Sequence, residues 1–199
     1  MNYPSAAGGL KMMFLAQILT IVGAVVTVVG AMLAVVTAGI LSIVMLLGSL
    51  LVLAAGILDI VGLYKAGADD QGYRGALIFA LIAVVVGVIM GWMDQSGILY
   101  ALLSIVDSIL TFLVVNAVCQ TTGNLLHSMG KDDLAEKGNT VSKLYFICTV
   151  ITVVCTLVGA IPVINILAGL AGIVGGVITI VGYVLYLIFL NNGGKALEY

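Results

Sequence analysis

Apolar runs long enough to cross a bilayer alternate in this chain with short gaps, and every lysine and arginine falls in alternate gaps. Lys11 precedes the first run, Lys65, Arg74, Lys131, Lys137 and Lys143 occupy two of the gaps, and Lys195 follows the last run. The gaps around Thr37-Ala38-Gly39, Asp94-Gln95-Ser96 and Pro162 hold none. Basic residues flanking a span are retained on the cytoplasmic side during insertion. The pattern therefore predicts an all-α polytopic protein with six membrane passes and both termini in the cytoplasm, most simply in a prokaryotic plasma membrane.

The expected spans are roughly 12–36, 40–64, 75–92, 98–126, 142–161 and 163–190. Each approaches or exceeds the ~20 apolar residues that a helix needs to cross the hydrocarbon core, and none has the short alternating pattern of barrel strands. Composition agrees: 63% of residues are hydrophobic and 8% charged, too few charges to solvate a soluble domain of this size. The first run has a longer apolar core than a signal peptide and is expected to stay as the first helix. A net charge of −2 without a basic patch argues against nucleic-acid binding. The expected partner is the lipid bilayer, with a second copy or another membrane protein as further candidates. Cys119, Cys148 and Cys155 lie within spans. They have neither the pairing of a disulfide framework nor the spacing of a metal site, so they read as small packing residues, and no cofactor or metal is expected.

The whole chain, 1–199, reads as one transmembrane domain with an internal period of 63 residues, in units of about 5–67, 68–130 and 131–193. Leu63-Tyr64-Lys65-Ala66-Gly67-Ala68-Asp69-Asp70 aligns with Leu126-His127-Ser128-Met129-Gly130-Lys131-Asp132-Asp133, sharing L-x-x-x-G-x-D-D. Gly67, Gly130 and Gly193 recur at this spacing, as do Lys11, Arg74 and Lys137. Each unit is a helix out, a short turn and a helix back, giving three two-helix hairpins of parallel topology. The motif is expected to be a helix stop, turn and helix start: glycine takes a left-handed conformation, and the carboxylates suit the positive end of the next helix. The segment from Ser128 to Ser142 is the longest polar one, expected to be a solvated connection with a helical start.

Small residues at a spacing of four are expected to let helices approach closely. These are Ala83, Gly87 and Gly91; Ala168, Gly172 and Gly176; and Gly23, Thr27 and Ala31. Trp92, Tyr64, Tyr73, Tyr100 and Tyr145 lie near expected interfaces and read as membrane anchors.

Polar residues at membrane depth are costly and mark candidate sites. Asp59 has Gly48, Ala55, Gly56 and Gly62 near its face and is expected to point into the bundle, to bind a cation or proton or to pair with Lys11 or Lys143. Asp107, with Ser104 and Thr111 on its face, could coordinate a cation or pass a proton. Asn116, Gln120 and Asn124 form a stripe, continued by His127, that lines a path or clamps a neighbouring helix. No catalytic motif of a known hydrolase, kinase or nucleotide-binding type is present, so the chain is not expected to be an enzyme. Two functions remain. One is a small channel or transporter for an ion, proton or small solute. The other is a non-transporting scaffold, stress or immunity factor, or subunit of a larger membrane complex.

Overall fold

A computed structural model describes residues 2–36, 42–94, 97–159 and 165–198. They form six α-helices: α1 (Pro4–Val36), α2 (Ser42–Ala66), α3 (Gly72–Gly91), α4 (Ile98–Ser128), α5 (Asp132–Gly159) and α6 (Asn165–Ala196). All six are long and apolar enough to cross a membrane. Each packs against its neighbours in the chain, and α6 returns to α1, so the helices close a ring in sequence order.

Several helices outrun the bilayer. The 33 residues of α1 span about 50 Å at 1.5 Å per residue, against a hydrocarbon core of ~30 Å. The excess lies at the end that carries the termini, where the Tyr3 amide donates to the Leu197 carbonyl at 3.1 Å. The core lies toward that end too: Ala6, Leu10, Met13, Leu63, Tyr73, Leu126, Phe189 and Leu190 are all almost fully buried. Toward the other end, Val25, Met32, Leu46, Val85, Ile98 and Val154 are exposed and would face lipid.

The polar segment after Ser128 is shorter as a loop, and more helical, than expected. Helix α5 starts at Asp132, with Asp132 and Asp133 in its first turn, where carboxylates oppose the helix dipole. Ala135, Gly138, Val141 and Ser142 are buried, while Asp133, Glu136, Lys137, Asn139, Thr140 and Lys143 are exposed. A 3.6-residue period thus carries the helix past the apolar span as an amphipathic extension.

The three period-related glycines do not behave alike. Gly130 is left-handed at φ 72°, the only such glycine among the described residues. The Lys131 amide reaches back to the Leu126 carbonyl at 2.9 Å, closing the helix in a Schellman turn. Gly67 sits in a turn without a positive φ, and Gly193 lies inside α6. The expected left-handed stop therefore occurs once. The basic triplet also diverges: Lys11 pairs with Glu198, Arg74 Nε donates to the Gly67 carbonyl at 3.1 Å, and Lys137 is exposed.

The tightest seam joins α1 and α2. Gly9, Ala16, Gly23 and Gly30 recur every seventh residue on α1, and Gly48, Ala55 and Gly62 do so on α2; all seven are buried. A methyl group on Gly62 would come within 2.8 Å of the Gly9 carbonyl, and one on Gly23 within 2.9 Å of the Gly48 carbonyl. A strict seven-residue repeat keeps the small residues on one seam, so the backbones touch along the hairpin and dispersion replaces the missing hydrophobic drive.

Candidate functional site

Polar side chains of this bundle converge on one cavity of about 340 Å³, and all six helices line it. Gln17 enters from α1, Asp59 from α2, Ala83 from α3, Thr111 from α4, Tyr145 from α5, and Tyr183 and Tyr186 from α6. Asp59 lies six residues in from Lys65, roughly 9 Å along the helix.

A short relay holds the carboxylate. The Tyr183 hydroxyl lies 2.9 Å from the Gln17 main-chain carbonyl and 2.7 Å from Gln17 Oε1, so its proton orients the amide. Gln17 Nε2 then faces Asp59 Oδ1 at 3.5 Å, a long contact. Asp59 makes no ion pair with a described residue: Lys11 is taken by Glu198, and Lys143 is exposed. Among the described residues, Asp59 Oδ2 has no hydrogen-bond partner and keeps accessible surface. The Tyr145 and Tyr186 hydroxyls are in the same condition, although Tyr186 is only 3% exposed. These two rings meet edge to face, with centroids 5.7 Å apart. An unpaired carboxylate among apolar walls is costly, and a proton or cation at Oδ2 would offset that cost.

The expected site residues are divided by the structure. Asp59 and Thr111 both line the cavity. Asp107 lies on α4 one turn from Thr111 and Ser104 one turn further, both half-buried and outside the cavity lining. Asn116 faces α5, where it accepts from Ser142 Oγ at 2.5 Å and from Gln120 Nε2 at 3.1 Å. Gln120 and Asn124 line a separate groove of about 210 Å³ with His127 and Asn139. The amide stripe thus lies on the α4–α5 seam, with Asn116 as its clamp. His127 Nδ1 sits 2.5 Å from Asp132 across the turn.

The small-residue ridges divide as well. Gly23 and Thr27 meet α2, but nothing lies within 4 Å of the Cβ positions of Gly87, Gly91 and Gly176. Among the described residues, no other helix packs on Gly87 or Gly91, and Gly176 borders a groove shared with α5. The side-chain surroundings of Gly172 fall outside the described residues.

Two tyrosines read as interfacial anchors are interior groups. Tyr73 is fully buried and its hydroxyl meets Thr122 Oγ1 at 2.8 Å; Tyr145 lines the cavity. Trp92 and Tyr64 are largely exposed, as anchors would be. Sequence reasoning passed over Tyr183 and Tyr186, yet Thr179, Tyr183 and Tyr186 follow each other at i, i+4 and i+7 in an otherwise apolar helix. That polar stripe at helical spacing was the available signal. Among the described residues, no three His, Cys, Asp or Glu side chains group to hold a metal ion. In comparison with known proteins, no family model, curated protein or solved structure matches the chain.

Proposed function

We propose that this chain is a small transporter or channel in which an ion, proton or small solute is held at Asp59 within the six-helix ring. The observation that carries the reading is the free Oδ2 of Asp59, opening on a cavity to which every helix contributes. A scaffold has no evident use for an uncompensated carboxylate at that depth. Thr111 lines the cavity and lies one turn from Asp107 on α4, and in this reading a path would run from Asp59 past Thr111 toward Asp107 and Ser104. The amide stripe serves instead as the α4–α5 clamp.

In this reading the end with the termini faces the cytoplasm, because all seven basic residues collect there. The ring is assembled from three parallel hairpins, α1–α2, α3–α4 and α5–α6, as the 63-residue period suggests. Gly87 and Gly91, with open space at their Cβ positions, would suit a second copy or another membrane protein.

Flux in proteoliposomes tests the reading. Proton and sodium movement should fall about tenfold or more in Asp59→Asn, the effect of losing ~1.4 kcal/mol or more at the binding step, and less in Asp107→Asn. Variants that elute as the parent does yet carry undiminished flux would remove these carboxylates from the mechanism.

A further inference from the structure

We propose that the cavity at Asp59 takes a small organic ammonium ion, a cation that carries its own hydrocarbon. The inference rests on the reading of this cavity as the ligand site, and it names the ligand's class.

Three features of the cavity point to this chemistry. The first is charge. Asp59 brings the only ionisable carboxylate to the lining, and no lysine, arginine or histidine side chain accompanies it. The site therefore has a negative group and no fixed counter-charge among its lining residues.

The second is the shortage of oxygen. A hard inorganic cation needs about six or more oxygens in place of its water. Among the described residues, the lining side-chain oxygens that meet no hydrogen-bond partner are Asp59 Oδ2 and the hydroxyls of Thr111, Tyr145 and Tyr186. The others are committed: Thr179 donates to the Gly175 carbonyl at 2.8 Å, and Gln17 Oε1 accepts from Tyr183 at 2.7 Å. The cavity, at about 340 Å³, has room for more than a single bare ion.

The third is the wall. Ile60, Val84, Val114 and Val115 supply hydrocarbon, and Tyr145, Tyr183 and Tyr186 supply ring surface. Aromatic rings attract cations through their quadrupole, most strongly where water is excluded, and they recognise quaternary ammonium groups in this way. Asp59, Tyr183 and Tyr186 line the same cavity, and Gln17 bridges Tyr183 to Asp59. One cation can therefore meet the carboxylate and the rings together, while its alkyl groups meet the valines. The cavity is at the small end of the range for organic ligands, which sets a compact ion as its occupant.

The probe is tetraethylammonium, a permanent cation that cannot be confused with a proton donor. Its binding to the full chain in lipid nanodiscs would be measured by equilibrium dialysis, with sodium in large excess. The expected result is saturable binding of one ion per chain that sodium does not displace. Asp59→Asn should weaken it by about tenfold or more, and Asp59→Glu should keep most of it. Tyr186→Leu should cost from about twofold to thirtyfold, the span of a cation–π contact of 0.5–2 kcal/mol, while Tyr186→Phe, which keeps the ring, should bind nearly as the parent does. Equal binding by well-folded Asp59→Asn would overturn the proposal, and so would equal losses in Tyr186→Phe and Tyr186→Leu. Absence of saturable binding, with Asp59-dependent proton or sodium flux intact, would overturn this inference and leave the transport reading standing. Asp59-dependent binding without flux of any cation would uphold the ligand class and remove transport.

Discussion

The two ends of this ring are built from the same apolar helices and held together differently. At the end with the termini, polar groups tie one helix to another. Asp69 accepts the Ala6 amide at 2.7 Å, so the loop after α2 caps the start of α1. Lys131 donates to the Ala196 carbonyl and covers the end of α6. Lys11 pairs with Glu198, and Tyr73 meets Thr122 in the core. Toward the other end, hydroxyls turn back on their own helices: Thr27 to Gly23, Ser49 to Met45, Thr152 to Cys148 and Thr156 to Thr152. These satisfy the hydroxyl without joining anything. There the α1–α2 seam is the closest contact, with Gly23, Gly30 and Gly48 against backbone. Position in a bundle of this kind is fixed by caps and bonds where water is near, and by backbone approach where only lipid is available.

Substitutions can break or sharpen that contrast. The largest effect should come from the seam. Gly62→Leu would drive a side chain into the Gly9 carbonyl and Met13, and overpacking at a backbone contact costs about 3 kcal/mol. Gly87→Leu, with nothing within 4 Å, should change stability by less than about 0.5 kcal/mol. Apparent melting temperature in nanodiscs compares the two. Equal drops would dissolve the distinction and reveal a partner seated on the Gly87 ridge. Next comes the cap: Asp69→Ala should cost about 1 kcal/mol through the freed amide at the start of α1, while Asp69→Asn should recover part of it. Faster hydrogen exchange confined to the first turn of α1 would confirm the assignment, and unchanged exchange there would refute it. Smallest is Tyr73→Phe, which removes the bond to Thr122 and should cost about 0.6 kcal/mol, a typical value for interhelical bonds in membranes.

Hydropathy alone located the six helices, because a span must be apolar over about 20 residues whatever its neighbours are. The boundaries slipped where that rule stops. Asp132 to Lys143 is too polar for a span, yet one face, Ala135-Gly138-Val141-Ser142, is small or apolar enough to continue α5 against its neighbours. Asp59 was legible as a polar residue in the midst of small ones. Its setting was not, because Gln17 and Tyr183 are 42 and 124 residues away from it in sequence and meet it only when the ring closes. Tyr73 and Tyr145 misled for the opposite reason. A tyrosine near a span's end usually anchors at the interface, but here the helices extend beyond the apolar core, so the same position along the chain is interior. The lysines and Arg74 carry two messages at once. They read as topology signals in sequence, and in the structure Arg74 and Lys131 also close helix ends.

The seam between α1 and α2 also sets an order of events during synthesis. Its contacts are local, made between segments joined by one short turn, so this hairpin can zip together once the ribosome has passed Ala66, and Asp69 can lock the start of α1 a few residues later. The carboxylate cavity has the opposite history. Thr179, Tyr183 and Tyr186 complete its wall from the last helix. Until that helix arrives, the cavity lacks this wall, and a nascent chain stopped short of α6 would leave Asp59 without Gln17's partner Tyr183 beside it.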